Sequence, residues 1–264
     1  MNGLGDGHKV RSNEAASRAT ATGGYAALML SIFTIPLAGC LGLPPVESTI
    51  PGTLTRSGDG RSDTLVVMLP GRGDRAEAFE VAGFEEAGLQ FGFDSMAIDA
   101  HTGYYTQRSL VDRLHEDIVE PAREQGYRNV WILGISMGGL GALLYASEYP
   151  DHVDGLVLLA PYLGERRSIE MISAAGSISA LGDRAEDLES YEIDIWSWLE
   201  DEPGENRPPI VLGYGTSDRM AAGYDSVMDL IRPSSVHTRE GGHRWSTWRP
   251  LWDEIAVVLD SYLH

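Results

Sequence analysis

The chain has 264 residues, 43% of them hydrophobic and 22% charged, a balance that fits a globular protein and excludes a disordered one. Aspartate and glutamate number 39 against 20 lysines and arginines, giving a net charge of -19. Such a surface keeps a protein soluble and excludes charge-driven binding to nucleic acid or to anionic lipid headgroups. All of the basic residues except Lys9 are arginines, and the single cysteine, Cys40, leaves no intramolecular disulfide and no cysteine-based metal cluster.

The first 24 residues are polar and rich in Gly, Ser and Ala, with Lys9, Arg11 and Arg18 as their bases. An apolar run from Tyr25 to Gly39 follows, shorter than the ~20 residues a membrane-spanning helix needs. It suits the apolar region of a signal peptide, ending in small residues where cleavage occurs. Leu37-Ala38-Gly39-Cys40 resembles the lipobox of bacterial lipoproteins. That resemblance implies cleavage before Cys40, lipidation of its thiol, and attachment to a membrane of the cell envelope through that lipid. Leu41, standing where an aspartate would signal retention, points to the outer membrane. Residues 1–39 are therefore read as a signal peptide. Residues 40–61 are read as a tether broken by Pro44, Pro45, Pro51, Gly52, Gly58 and Gly60, with room for a short strand from Thr53 to Arg56.

From residue 62 onward, apolar runs of strand length alternate with helical patterns. Thr64 to Leu69 is almost wholly apolar, as a strand buried on both faces must be. Ser95 to Ile98, Val130 to Leu133, Gly155 to Leu159, Ile210 to Leu212 and Ser235 to Thr238 continue the series. Leu110, Val111, Leu114 and Ile118 form one apolar helix face; Leu251, Trp252, Ile255, Leu259 and Leu263 form another. The alternation predicts an α/β domain over 62–264, with a mostly parallel sheet and helices on both faces. One interval, 162–208, is far longer than the ~2–6 residues usual between helix and strand. Its apolar residues, among them Ile172, Ile195, Trp196 and Trp198, predict two or three short helices over the strand ends, with the two tryptophans lining a substrate pocket.

The strongest local signal is Gly134-Ile135-Ser136-Met137-Gly138, placed after the strand ending at Leu133 and before the helical run Leu140 to Ala146. A G-x-S-x-G segment between strand and helix lifts its serine on a sharp turn, and flanking side chains would collide there. A serine hydroxyl needs a base, and the base needs an orienting acid. Asp218 follows the strand Ile210 to Leu212, and His243 follows the strand Ser235 to Thr238 on a glycine loop. Rivals fit less well. His237 falls inside a strand, His101 and His115 precede the serine, His152 follows it by one helix, and His264 is terminal. Asp225 and Asp229 lie within the helix after Asp218, and Glu240 shares the loop of His243. An oxyanion needs two donors. The amide of Met137, next after the serine, supplies one, and that of Arg72 in Pro70-Gly71-Arg72-Gly73-Asp74 the other.

Taken together, these segments resemble the α/β-hydrolase family across Thr64 to His264, in particular its small carboxylesterase and lysophospholipase branches. Pro70 departs from the histidine that many members carry before the glycine, but backbone donation does not depend on it. The resemblance implies an α/β-hydrolase fold in which 162–208 is a substrate-selecting cap. It also implies cleavage of small-molecule or lipid acyl esters through an acyl-enzyme, with no metal or organic cofactor. Thioesterase, acyltransferase and peptidase chemistry use the same triad. A catalytically silent binding lipoprotein is the reading from another class, and an intact triad argues against it.

Overall fold

In the computed structural model, the structure describes residues 45–263 apart from 59, 61 and 202–206. The signal-peptide reading and Cys40 lie outside the described residues. Among the described residues, no helix is long and apolar enough to cross a membrane.

Seven strands form one sheet: β1 (Gly52–Thr55), β2 (Thr64–Leu69), β3 (Asp94–Ile98), β4 (Asn129–Ile135), β5 (Gly155–Leu159), β6 (Ile210–Gly215) and β7 (Ser235–Arg239). Their order across the sheet is β1-β3-β2-β4-β5-β6-β7. Every neighbouring pair is parallel except β1 with β3. Every residue of β2, β5 and β6 is buried, as expected where helices cover both faces. The two edge strands, β1 and β7, instead alternate exposed and half-buried positions or stay open. The tether expected over 40–61 is thus structural in its second half: Ile50 is buried, and β1 closes one edge of the sheet against Ser95 to Ile98.

The path between strands sets which face each helix covers. From β2 the chain passes through α1 (Glu77–Ala82) and α2 (Glu85–Phe91) to β3, one step to one side. It then runs through α3 (Thr102–Thr106), α4 (Leu110–Leu114), a π-helical turn at His115–Val119 and α5 (Glu120–Glu124), and crosses back to β4 on the far side of β2. Right-handed crossovers in opposite directions place these two groups on opposite faces. The reversal lies between β2 and β4, and crevices for ligands open at the carboxyl ends of strands at such a switch point. The π turn sits where Pro121 enters α5, since the proline ring clashes with the carbonyl four residues back.

Beyond β4, α6 (Met137–Glu148) packs on β2, β4 and β5. After β6, α9 (Ala221–Ile231) leads to β7, and α10 (Trp245–Leu263) returns over β6 and β7 to meet α2. Leu251, Trp252, Ile255 and Leu259 are fully buried along α10, the face its sequence predicts. The long interval holds α7 (Arg166–Ala175), a 3-10 segment at Ser179–Asp187 and α8 (Ser190–Leu199). α8 packs on α6 and α7 on α9, so the cap rests on the helices that flank the strand ends.

Candidate active site

β4 ends at Ile135, and the chain must turn at once into α6. Ser136 carries that turn with φ 53° and ψ -112°, a region costly for any residue with a side chain. Its backbone hydrogen bonds fix it. Its amide donates to the Leu159 carbonyl at 3.0 Å, and its carbonyl accepts from Tyr162 at 2.8 Å and Gly139 at 2.9 Å. The flanking glycines are obligatory on steric grounds. A Cβ on Gly134 would stand 2.3 Å from the Gly138 carbonyl oxygen, and one on Gly138 would stand 2.1 Å from the Leu69 carbonyl oxygen. Close passage of β2 beneath the turn therefore dictates the spacing of the motif. The amino end of the twelve-residue α6, with its positive dipole, begins directly after the serine.

His243 and Asp218 come to the serine from the two adjacent strand tips. His243 Nε2 lies 2.9 Å from Ser136 Oγ, and Nδ1 lies 2.7 Å from Asp218 Oδ2. An ionised carboxylate only accepts, so the Asp218 contact assigns the proton to Nδ1 and leaves Nε2 free to accept from the hydroxyl. The Asp218 side chain is fully buried, and its Oδ1 takes a further hydrogen bond from the Met220 amide at 3.0 Å. The two loops are bonded to each other: the Ser217 amide donates to the Gly241 carbonyl and the Thr216 amide to the Arg239 carbonyl, each at 2.9 Å. Trp248 of α10 meets the His243 ring edge to face at 4.9 Å. The rival histidines are engaged elsewhere. His101 Nδ1 caps α3 by accepting from Gly103, and His115 stacks on Tyr149 with His152 at its edge.

A cavity of about 970 Å³ opens above Ser136 and is lined by Ser136, Met137, His243, Gly71 and Arg72, among others. The Pro70–Asp74 loop approaches so closely that a Cβ on Gly71 would stand 3.6 Å from Ser136 Cβ. Arg72 and Met137 are thus brought to the same cavity as the serine, where the sequence expects the two amide donors.

Trp196 and Trp198 do not line this cavity, which corrects the expectation that they form a substrate pocket. Trp196 is 1% exposed, and its indole N–H donates to the Leu163 carbonyl at 3.0 Å; Trp198 is buried beside it on α8. Because α8 packs on α6, its aromatic face is used as core. The aromatic wall comes instead from Tyr105, Tyr162, Tyr191, Trp245 and Trp248. From the sequence, substrate contact by Tyr105 is an open alternative to an ordinary surface aromatic, and the other four carry no signal, since each lies outside any motif. The hydroxyl of Tyr105 donates to the Met137 carbonyl at 3.0 Å, bracing the first turn of α6. Tyr162 donates to Glu165 at 2.9 Å and lies 3.4 Å from the Tyr191 hydroxyl. Burial holds the Tyr105, Tyr162 and Tyr191 phenols above their ordinary range, with contacts to Tyr191 and Glu165 adding to the shift at Tyr162. They stay neutral at physiological pH. Trp245 closes the side nearest β2 by donating to Asp74 Oδ2 at 3.2 Å.

The fold of this chain matches that of solved structures. A Staphylococcus aureus S-formylglutathione hydrolase aligns over 83% of this chain and 100% of its own, with a TM-score of 0.56 and 14% identity. A monoacylglycerol lipase of Paleococcus ferrophilus aligns over 83% and 98%, with a TM-score of 0.53 and 16% identity. The chain has the α/β-hydrolase fold. A family model described as serine aminopeptidase, S33, matches residues 60–185, slightly under half of the chain, and spans the α/β-hydrolase segment from β2 to the first part of the cap. A ferulic acid esterase shares the same α/β-hydrolase frame over 82% of this chain and 99% of its own, at a TM-score of 0.56 and 13% identity. Among curated proteins, none matches the sequence.

Proposed function

We propose that this chain is a serine hydrolase that cleaves carboxylic esters through an acyl-enzyme. The observation that carries the reading is the continuous contact from Ser136 Oγ through His243 to the buried Asp218, at 2.9 Å and 2.7 Å. Ser136 Oγ attacks the ester carbonyl as His243 Nε2 takes its proton. Asp218 holds the ring and stabilises the imidazolium. The Met137 and Arg72 amides bind the oxyanion, and His243 returns the proton to the departing alcohol. Water, activated by the same imidazole, then releases the acid and restores the serine. Every step uses side chains and amides of this chain.

Incubation with a graded series of chromogenic acyl esters, beside Ser136→Ala, tests this mechanism. The wild type is expected to turn over at least one member, and Ser136→Ala to lose activity by roughly a millionfold. Activity that survives the substitution refutes the mechanism. Labelling by a fluorophosphonate separates an active hydrolase from a silent binding protein.

Peptidase chemistry is the second reading, favoured by the serine aminopeptidase description of the matching family model. Aminoacyl naphthylamides, assayed in parallel, separate it from esterase activity. We also propose that the leader delivers the enzyme to the cell envelope and that Cys40 is lipidated. Intact-mass measurement on the membrane fraction tests this, and an unmodified Cys40 ends it.

A further inference from the structure

In a chain of net charge -19, an arginine has carboxylates within easy reach, and half of the sixteen described arginines use them. Eight are ion-paired with an aspartate or glutamate. Arg207 and Arg232 donate to backbone carbonyls. Four others, Arg72, Arg108, Arg219 and Arg244, line the cavity above Ser136. All four are exposed, and among the described residues none makes a side-chain hydrogen bond or ion pair. Of the other described arginines, Arg166 and Arg184, exposed on the cap and outside this cavity's lining, share that condition.

The position of the four is as telling as their freedom. Arg219 follows Asp218, Arg244 follows His243, and Arg72 sits on the loop facing the serine. Arg108 lies just past α3, with a positive φ of 54°. Arg72, Arg219 and Arg244 stand on the loops that follow β2, β6 and β7, and Arg108 on the turn between α3 and α4. The carboxylates that line it are Asp74, Glu165 and Asp194. Asp74 is engaged by Trp245, and Glu165 accepts from Tyr162. Glu165 and Asp194 belong to the cap. Four free guanidinium groups therefore share the cavity of Ser136 with two carboxylates of the cap and with Asp74, which stands on the loop of Arg72. A guanidinium presents a fork of donors matched to a carboxylate or phosphate. Four such forks leave a local positive mouth in an otherwise anion-repelling surface.

We propose that the preferred substrates are esters bearing a second, anionic group, a carboxylate or a phosphate, held by Arg108, Arg219 and Arg244 beside the reacting carbonyl. The inference rests on the ester-hydrolase reading and names its substrate class. Neutral esters would enter the same cavity without that anchor.

The test compares matched pairs. On the acyl side, p-nitrophenyl hemisuccinate replaces the terminal methyl of p-nitrophenyl butyrate with a carboxylate. On the alcohol side, the butyrate monoester of glycerol 3-phosphate is set against glycerol monobutyrate. The expected result is a preference of about tenfold in kcat/KM for one anionic member at low ionic strength, the sum of two or three exposed ion pairs. It should shrink at ~1 M salt, where the screening length is about 3 Å. Which pair shows the preference tells carboxylate from phosphate. Arg108→Gln, Arg219→Gln and Arg244→Gln should each raise KM for that anionic ester about threefold and leave the neutral ester within about twofold. Arg→Lys at the same sites should restore part of the preference.

The proposal is overturned if the wild type cleaves neutral and anionic members equally, or if the preference survives removal of all three arginines. Failure of the underlying reading looks different: no ester is cleaved and no fluorophosphonate labels Ser136. Calorimetric binding of the hemisuccinate and butyrate esters to Ser136→Ala still decides the inference in that case. Tighter binding of the anionic ester supports it, and equal binding defeats it.

Discussion

At the strand tips, Ser136, Asp218 and His243 sit on turns fixed by backbone pressed against backbone. Gly138 lies under Leu69, and Gly215 faces Gly241, where a Cβ would meet the carbonyl oxygen at 2.2 Å. The cap between β5 and β6 is braced differently, within itself, by one buried carboxylate. Glu192 is 1% exposed; its Oε1 accepts from the Glu165 amide at 2.7 Å, and its Oε2 accepts from Ser168 Oγ and the Glu189 amide at 2.9 Å and 3.0 Å. Gly164 makes room for it, since a Cβ there would lie 2.4 Å from Glu192 Oε1. Steric constraint leaves a single geometry for the chemistry. A hydrogen-bonded side chain holds a cover whose shape other residues can vary.

Substitutions at the two regions should therefore fail in different ways. The largest effect is expected from His243→Ala, with kcat falling roughly a millionfold while the fold persists; circular dichroism beside an ester assay checks both. Asp218→Asn keeps the shape but favours the wrong imidazole tautomer, for a loss of roughly ten-thousandfold in kcat. Gly138→Ala should be felt in folding as well as turnover. Backbone must move away from Leu69, at a cost of about 3 kcal/mol in denaturant melts. A Gly138→Ala protein with unchanged stability would mean that the strand tips are not sterically set.

Glu192→Ala should act on the cap alone. It strips three donors of their acceptor, for a loss of about 2 kcal/mol or more, and should speed hydrogen exchange in α7 and α8 while leaving β4 and α6 protected. Loss of protection across the whole sheet would erase the contrast between the two regions.

The smallest effect is a pH dependence shared by both. Seven tyrosines, including Tyr105 near the serine and Tyr162 and Tyr191 toward the cap, have phenols raised by burial. Tyr214 is pushed up to about 12. A raised phenol stabilises the fold fully below its unfolded value of 10, and that contribution is lost as pH rises through the folded value. Thermal melts should hold steady below pH 10 and fall from there toward pH 12. His101 works in the opposite direction: burial, then Arg75, lowers its value, so its contribution is present above 6.5 and lost as pH falls below that.

Much of this was legible in the chain itself. Apolar runs such as Thr64 to Leu69 predict strands buried on both faces, and they are. The G-x-S-x-G spacing predicts a turn under steric pressure, and the order of serine, acid and histidine predicts their meeting. Those signals are local, because a fully buried strand and a glycine-bound turn each impose their requirement on consecutive residues. β1 was harder to read. Its four residues carry no buried apolar run, because an edge strand is paired on one side only and stays largely exposed.

Features that depend on which surfaces meet were not legible in the same way. Trp196 and Trp198 could have faced substrate or core; packing of α8 on α6 turned them inward. Tyr105, Tyr162 and Tyr191 became the cavity wall because elements distant in sequence converge on one strand end. The four unpaired arginines gained meaning only when the fold set them around one serine. The strands, the strained turn and the order of the three residues are written in consecutive positions, since each follows from short-range sterics and periodicity. Depth, lining and charge of the cavity are sums over contacts between remote segments, and no local pattern encodes such a sum.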